Sequence, residues 1–204
     1  MCGRYLIDDE AYADILTILY KADSISGMFS AAPVAARGEI FPTNFAPVFK
    51  SDGAAAVKWG FPHWKSSNVI INARSETALE KPMFRKSLLD RRCVIPSSGF
   101  YEWKRTGERY GKNRGDKKEK YLLRIPDENK LYMAGFWNEF KDITGASYSA
   151  FNILTTAAND SVAEIHDRMP VILSEDEKDY WINDLGFMQH VMERQGPELE
   201  AIVA

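Results

Sequence analysis

The chain has 204 residues, 45% hydrophobic and 27% charged, with 26 Lys and Arg against 29 Asp and Glu for a formal charge of −3. That is ordinary globular composition, enough for one domain over residues 1–204 with a sizeable core, and it excludes a uniformly basic nucleic-acid coat. No apolar run nears the roughly 20 residues that span a bilayer, no secretory leader pattern opens the chain, and Cys2 and Cys93 make no disulfide framework, so the expectation is a soluble cytoplasmic monomer without a membrane role.

From Asp8 to Ala22, Ala11, Tyr12, Ile15, Ile18 and Leu19 recur at helical spacing, with Asp8 or Asp9 available as N-cap. Pro33, Pro42 and Pro47 then predict extended, meandering chain. Short β-rich runs follow at Ala54–Phe61, Cys93–Trp103, Tyr121–Ile125, Leu131–Trp137 and Tyr148–Thr156, punctuated by Gly and Pro in the manner of an antiparallel sheet or partly closed barrel. Pro82–Arg91 reads as a short helix, and Ser174 with Glu177 forms a capping box before another. The fold class is α+β: a single domain with an antiparallel, barrel-like β core flanked by short helices.

The segment 104–120 stands apart, with eight basic and three acidic residues: its net +5 leaves −8 on the rest of the chain. Its three glycines and near lack of aliphatic residues predict a long mobile hairpin loop, either a solvated segment or an arm that attracts phosphates.

The amino terminus carries the sharpest chemical signal, Met1-Cys2-Gly3-Arg4. Loss of Met1 would leave Cys2 with a thiol and an α-amine whose reference pKa is about 8, so a useful fraction is neutral and nucleophilic near pH 7. Such a 1,2-aminothiol traps an aldehyde twice, through a Schiff base and then a thiazolidine ring, or it runs acyl transfer with amine as base and thiol as nucleophile. The plain alternative is a small buried residue on a frayed end.

Other candidates are Asn72, Arg74 and Glu76 on a turn after an apolar run, Glu102 between Tyr101 and Trp103, and His166 beside Arg168. Strand alternation sends Tyr101 and Trp103 to one side and Glu102 to the other, where a carboxylate is costly unless paired or protonated. Each also has a bland reading: Asn72 a turn former, Glu102 half of an ion pair, His166 a hydrogen-bonded structural residue, and Trp59, Trp64 and Trp103 core aromatics. His63, His166 and His190 show no ligand spacing with the cysteines, so neither metal nor cofactor is expected.

Taken together the motifs resemble the SRAP family, abasic-site-processing proteins associated with the SOS response. The matching stretches are residues 1–4, Trp59-Gly60-Phe61-Pro62 with Trp64, Asn72-Ala73-Arg74 with Glu76-Thr77, Cys93–Pro96, Gly99–Trp103, Thr155–Asn159 and Ile165–Val171, in family order across nearly the whole chain. The resemblance implies a barrel-like α+β fold and single-stranded DNA containing abasic sites as partner. It implies Cys2 as the nucleophile that joins the ring-opened sugar, Asn72 as the residue orienting that terminus, and Glu102 as acid/base beside the amine, with a hand in removing Met1. His166 would donate the proton that opens the sugar. Arg4, Arg74 and Arg168 would hold phosphates, Trp103 and Trp64 would stack on or wedge beside bases, and Thr155 would make a backbone contact. The basic segment 104–120, Phe61 and His63 depart from the family pattern.

Two rival readings stay open. One is an N-terminal-nucleophile amidohydrolase or glutamine amidotransferase, whose chains also open Met-Cys-Gly but continue with an aliphatic residue in place of Arg4. The other is a noncovalent single-strand-binding module in which Cys2 has no role.

Overall fold

In the computed structural model, residues 2–15, 17, 37–109 and 116–204 are described. The first strand, β1 (Arg4–Ile7), runs into helix α1 at residues 9–15. Asp8 is the cap: its Oδ1 accepts from the Ala11 N–H at 2.9 Å, which satisfies one of the N–H groups a helix start leaves open. The continuation expected towards Ala22, and Pro33, lie outside the described residues.

Three short or medium strands, β2 (Gly38–Ile40), β3 (Phe45–Lys50) and β4 (Gly53–Trp59), are followed by the two-residue strands β5 (Phe61–Pro62) and β6 (Val69–Ile70). Gly60 separates β4 from β5 at φ +107°, and a Cβ there would stand 2.8 Å from the Val69 side chain; that is why glycine sits inside the Trp59–Phe61 motif. Next come β7 (Asn72–Arg74), α2 (Ser75–Ala78), α3 (Pro82–Asp90), β8 (Arg92–Ser97), β9 (Gly99–Arg109) and β10 (Asp116–Arg124). The chain ends through β11 (Leu131–Lys141), β12 (Ser147–Ala157), α4 (Asp160–Ala163), β13 (Arg168–Pro170) and β14 (Ile172–Leu173), then α5 (Lys178–Asn183), α6 (Leu185–Glu193) and β15 (Glu200–Val203).

Strands β3, β4, β12, β11 and β8 pair in a closed cycle, a five-stranded barrel. One seam departs from the antiparallel expectation: β12 runs parallel to β4, and also to β7, because a long crossover through the helices separates them in sequence. A second sheet has the order β15-β10-β9-β1-β2. One face of the barrel strands, with Cys93, Ile95, Met133, Phe151 and Ile153, shares a core with Cys2, Tyr5, Ile7 and Phe100 of this sheet. The other face, with Val94, Phe136 and Leu154, packs under Phe84, Leu88, Trp181 and Met188 of the helices. Both faces being covered explains why β8 is buried at every position.

The basic segment expected as a mobile hairpin loop is a hairpin whose arms are paired strand. Lys104 to Arg109 and Asp116 to Lys120 are ladder strands of one hairpin, with Lys104 opposite Glu119 and Arg105 opposite Lys118; positions 110–115 lie outside the described residues. Backbone pairing holds this stretch without aliphatic side chains, since its solvated faces accept charge. The Ser174–Glu177 box also differs from expectation in what it starts. Ser174 N–H donates to Glu177 Oε2 at 2.9 Å, but the turn it opens is 3₁₀ at Glu175–Glu177 before α5 begins. Among the described residues, no helix is long and apolar enough to cross a membrane.

Candidate active site

Where the five-stranded sheet meets the barrel, four residues from distant parts of the chain converge. Cys2 precedes β1 and is fully buried. Asn72, the first residue of β7, donates from Nδ2 to the Cys2 carbonyl at 2.8 Å and so fixes the path of the terminus. Parallel pairing of β7 with β12, Asn72 opposite Ile153, holds that amide in place. This is more than a turn former does.

Glu102 lies in β9, paired with Tyr121 of β10. Alternation places Phe100 and Glu102 on the core side and Tyr101 and Trp103 on the outer side, as the period-2 pattern requires. The register is locked by Gly99, where a Cβ would meet the Leu123 carbonyl at 2.7 Å. Glu102 is only 2% exposed. Burial raises its pKa above the ordinary 4.5, and the positive charges of the amino terminus and His166 oppose that rise. His166, between α4 and β13, brings Nε2 to 3.9 Å from Glu102 Oε2, an ion contact longer than a hydrogen bond.

The His166 ring has two ways to spend Nδ1. The Arg168 N–H donates to it at 3.0 Å, and Asp167 Oδ1 stands 2.8 Å away. As acceptor of the Arg168 N–H, Nδ1 leaves the ring's hydrogen on Nε2, the nitrogen facing Glu102.

The Cys2 thiol is pushed well above its ordinary 9.0, first by burial and then by the charge of Glu102. Its Sγ donates a weak hydrogen bond to the Arg4 carbonyl at 3.5 Å. In this state it is a thiol, not a thiolate.

The other expected residues divide into two groups. Arg4 is on the outer face beside Trp103, its guanidinium 5.2 Å from that ring and 3.3 Å from Glu39 Oε1. Arg74 is exposed at the end of β7, next to the Arg168–Glu76 pair. Arg168 is already engaged: it holds Glu76 in a two-pronged pair at 2.5 and 2.8 Å, donates to the Thr155 carbonyl at 2.7 Å, and has a side chain only 10% exposed. Thr155 is fully buried, and its hydroxyl donates to the Ala73 carbonyl at 3.2 Å, so both its polar groups serve the fold. The tryptophans separate as well. Trp59 is core, stacked with Phe151 and donating to the Ile71 carbonyl; Trp103 is half-buried; Trp64 is 75% exposed, with Lys65 over its ring.

Sequence reasoning passed over Glu39, Lys120 as an individual residue, and Arg92. Glu39 has no motif around it; only the antiparallel pairing of β1 with β2 brings it to Arg4. Arg92 did carry a signal, a cation at the head of a wholly apolar strand.

A closed barrel with a flanking sheet thus brings a thiol, a buried carboxylate and an imidazole together near its amino-terminal end. A family model described as "SOS response associated peptidase (SRAP)" matches residues 1–200, and the chain belongs to this family. It is 34% identical over 200 residues to the abasic site processing protein YoqW of Bacillus subtilis, covering 90% of this chain and 80% of that one. It is 30% identical over 217 residues to the abasic site processing protein YedK of Escherichia coli, covering 98% and 86%. In fold it resembles a crystal structure from Bacteroides thetaiotaomicron, with a TM-score of 0.77 at 23% identity over 99% of this chain and 91% of that one.

Proposed function

We propose that this protein captures abasic sites in single-stranded DNA through Cys2, once Met1 has been removed, and holds them as a covalent thiazolidine that shields the lesion. The single observation that carries this reading is the convergence of Asn72, Glu102 and His166 on the Cys2 end of the chain, across 164 positions of sequence. An abasic sugar is a masked aldehyde, and an aminothiol is its matching trap.

The order of events follows from the site. The thiol is protonated and buried, so the liberated amine attacks first. His166 donates a proton to the ring oxygen as the hemiacetal opens to the aldehyde. The amine nitrogen adds to C1′, and Glu102, a carboxyl whose pKa burial raises, supplies the proton with which the carbinolamine hydroxyl leaves as water. The resulting iminium is a positive charge beside Cys2, which favours ionisation of the thiol, whose proton returns to the Glu102 carboxylate. Sulfur then adds to C1′, the electrons of the C=N bond return to nitrogen, and a five-membered ring closes. Aldehyde and aminothiol have become thiazolidine and one water. Tethering makes the second attack intramolecular and fast. On this reading Glu102 also serves Met1 removal, and any strand scission would draw on the same iminium.

Arg4, Arg74 and Trp103 provide guanidinium and aromatic contacts suited to a flexible single strand, with Trp64 as an exposed stacking surface. Arg168 and Thr155 act through the frame behind them. The test is incubation with a single-stranded oligonucleotide carrying one abasic site, followed by a denaturing gel and intact mass. A shifted band, with a protein lighter by one methionine residue before reaction, is the expected result. Retention of Met1 together with no shifted band would sink the reading. Release of ammonia from glutamine would favour the amidotransferase alternative instead.

A further inference from the structure

On the outer face of the flanking sheet, away from the buried site, one carboxylate sits between two cations. Glu39 of β2 brings the same oxygen, Oε1, to 3.3 Å from Arg4 Nη1 and 2.8 Å from Lys120 Nζ. Both cations lie on aromatic rings: Arg4 is 4.6 Å from the Phe41 centroid and 5.2 Å from Trp103, and Lys120 is 3.8 Å from Tyr101. The ladder dictates this arrangement. Arg4 opposes Tyr101 and Lys120 opposes Trp103, so strand alternation sends all four to one face. Lys118 and Arg105 continue the same face outward along the hairpin.

From this geometry, and resting on the single-strand DNA reading above, we infer that Glu39 is an internal stand-in for a DNA phosphate: a positioning residue that keeps Arg4 and Lys120 oriented and competes with the strand for them. A carboxylate oxygen between a guanidinium and an ammonium presents the same charge and acceptor geometry as a phosphodiester oxygen. Exchanging one anion for the other leaves the cations seated on their rings and already ordered, which lowers the cost of binding. The contact is also releasable. Arg4 meets Glu39 through one oxygen at a partly exposed site, where ion pairs are weak. Arg168 is the counterexample in the same molecule, gripped at two points by Glu76 and by the Thr155 carbonyl. Burial tends to raise the Glu39 pKa, but hydrogen bonds from Lys120 and Arg4 bring it below the ordinary 4.5, so the carboxylate stays charged and competing at neutral pH.

The experiment is equilibrium binding of an undamaged single-stranded oligonucleotide across a salt series, with adduct formation on an abasic strand run in parallel. Glu39→Gln should bind about 3- to 10-fold more tightly at low salt, and its log K against log salt should steepen by about 0.7 for each phosphate newly held. Lys120→Gln should weaken binding and flatten the slope, and the double variant should lose the gain of Glu39→Gln. A residue with a merely structural role would alter thermal stability and leave the slope alone. Unchanged or weaker binding by Glu39→Gln, or an unchanged slope in Lys120→Gln, overturns the inference. Wild type that binds the undamaged strand but forms no adduct overturns the capture reading and leaves Glu39 to be judged by its slope. Wild type that binds no single strand overturns both.

Discussion

Two buried charges, Arg92 and Glu102, are handled in opposite ways. The Arg92 guanidinium donates to four main-chain carbonyls, Leu88 at 3.1 Å and Leu89 at 2.6 Å in α3, and Trp181 at 2.5 Å and Ile182 at 2.9 Å in α5. Those carbonyls belong to the last turns of two helices, which have no partners of their own and carry partial negative charge. One cation therefore closes two helix ends and joins them to β8. Glu102, equally hidden, has an ion contact to His166 that is too long for a hydrogen bond, and burial holds its pKa up. Arg92 is a structural joint among fixed main-chain acceptors, whereas Glu102 is a carboxyl whose pKa burial raises against the opposing charges of the amino terminus and His166.

The comparison is broken most severely at Cys2. Cys2→Ala should abolish the covalent band on an abasic strand and leave noncovalent affinity for single strands largely intact; persistence of the band would move the nucleophile elsewhere. Next in size is Arg92→Met, which strands four carbonyls in the interior. It should cost about 3–5 kcal/mol, measured by denaturant unfolding, because breaking a buried charged network leaves desolvated groups unpaired. A loss under 1 kcal/mol would mean that Arg92 does not close those helix ends. On the chemical side, Glu102→Gln should slow adduct formation by about 10²-fold or more while the fold survives, the size expected of one general acid–base group. His166→Ala should impair reaction with the closed sugar more than with a simple aldehyde, and equal losses for the two would remove its part in ring opening.

What the sequence made legible follows from how each signal is encoded. The alternation around Glu102 and the capping role of Asp8 are local, and both are found where their spacing puts them. The helix at Pro82–Asp90 and the barrel strands β4, β11 and β12 were readable for the same reason, whereas β3 was expected only as extended chain around Pro47 and the single run Cys93–Trp103 divides into β8 of the barrel and β9 of the second sheet. The hairpin at 104–120 was read as a hairpin loop, but the extent of its ladder was not legible, because the pairing is made by backbone groups while the side chains carry a loop's composition. The closing seam between β4 and β12 was also hidden, since parallel partners so far apart leave no local trace. At the site, Cys2, Asn72, Glu102 and His166 could be named from their chemistry, yet their convergence needed the fold. The family resemblance implies Arg168 as a phosphate clamp, and its engagement with Glu76 depends on α2 reaching β13 in space.

The smallest effect sharpens the comparison most, because it runs against the usual cost of mutating a buried polar residue. Glu102 has a folded pKa above its ordinary value, so the fold binds a proton there more tightly than the unfolded chain does. Stability contributed by that proton is complete at acid pH, below the unfolded value, and is lost as pH rises through the folded one. At pH 7 the ionised, desolvated carboxylate is therefore a net burden on folding, reduced by the positive charges of His166 and the amino terminus. Glu102→Gln keeps the shape and removes the charge. It should raise stability at pH 7 by up to about 1 kcal/mol, and the gain should vanish as pH falls below 4, where the wild-type carboxyl is neutral as well. Chemical denaturation at pH 7 and pH 4 makes the measurement. Were the variant instead less stable at pH 7 than at pH 4, relative to wild type, Glu102 would be a satisfied buried charge like Arg92, and the contrast between the two would fail.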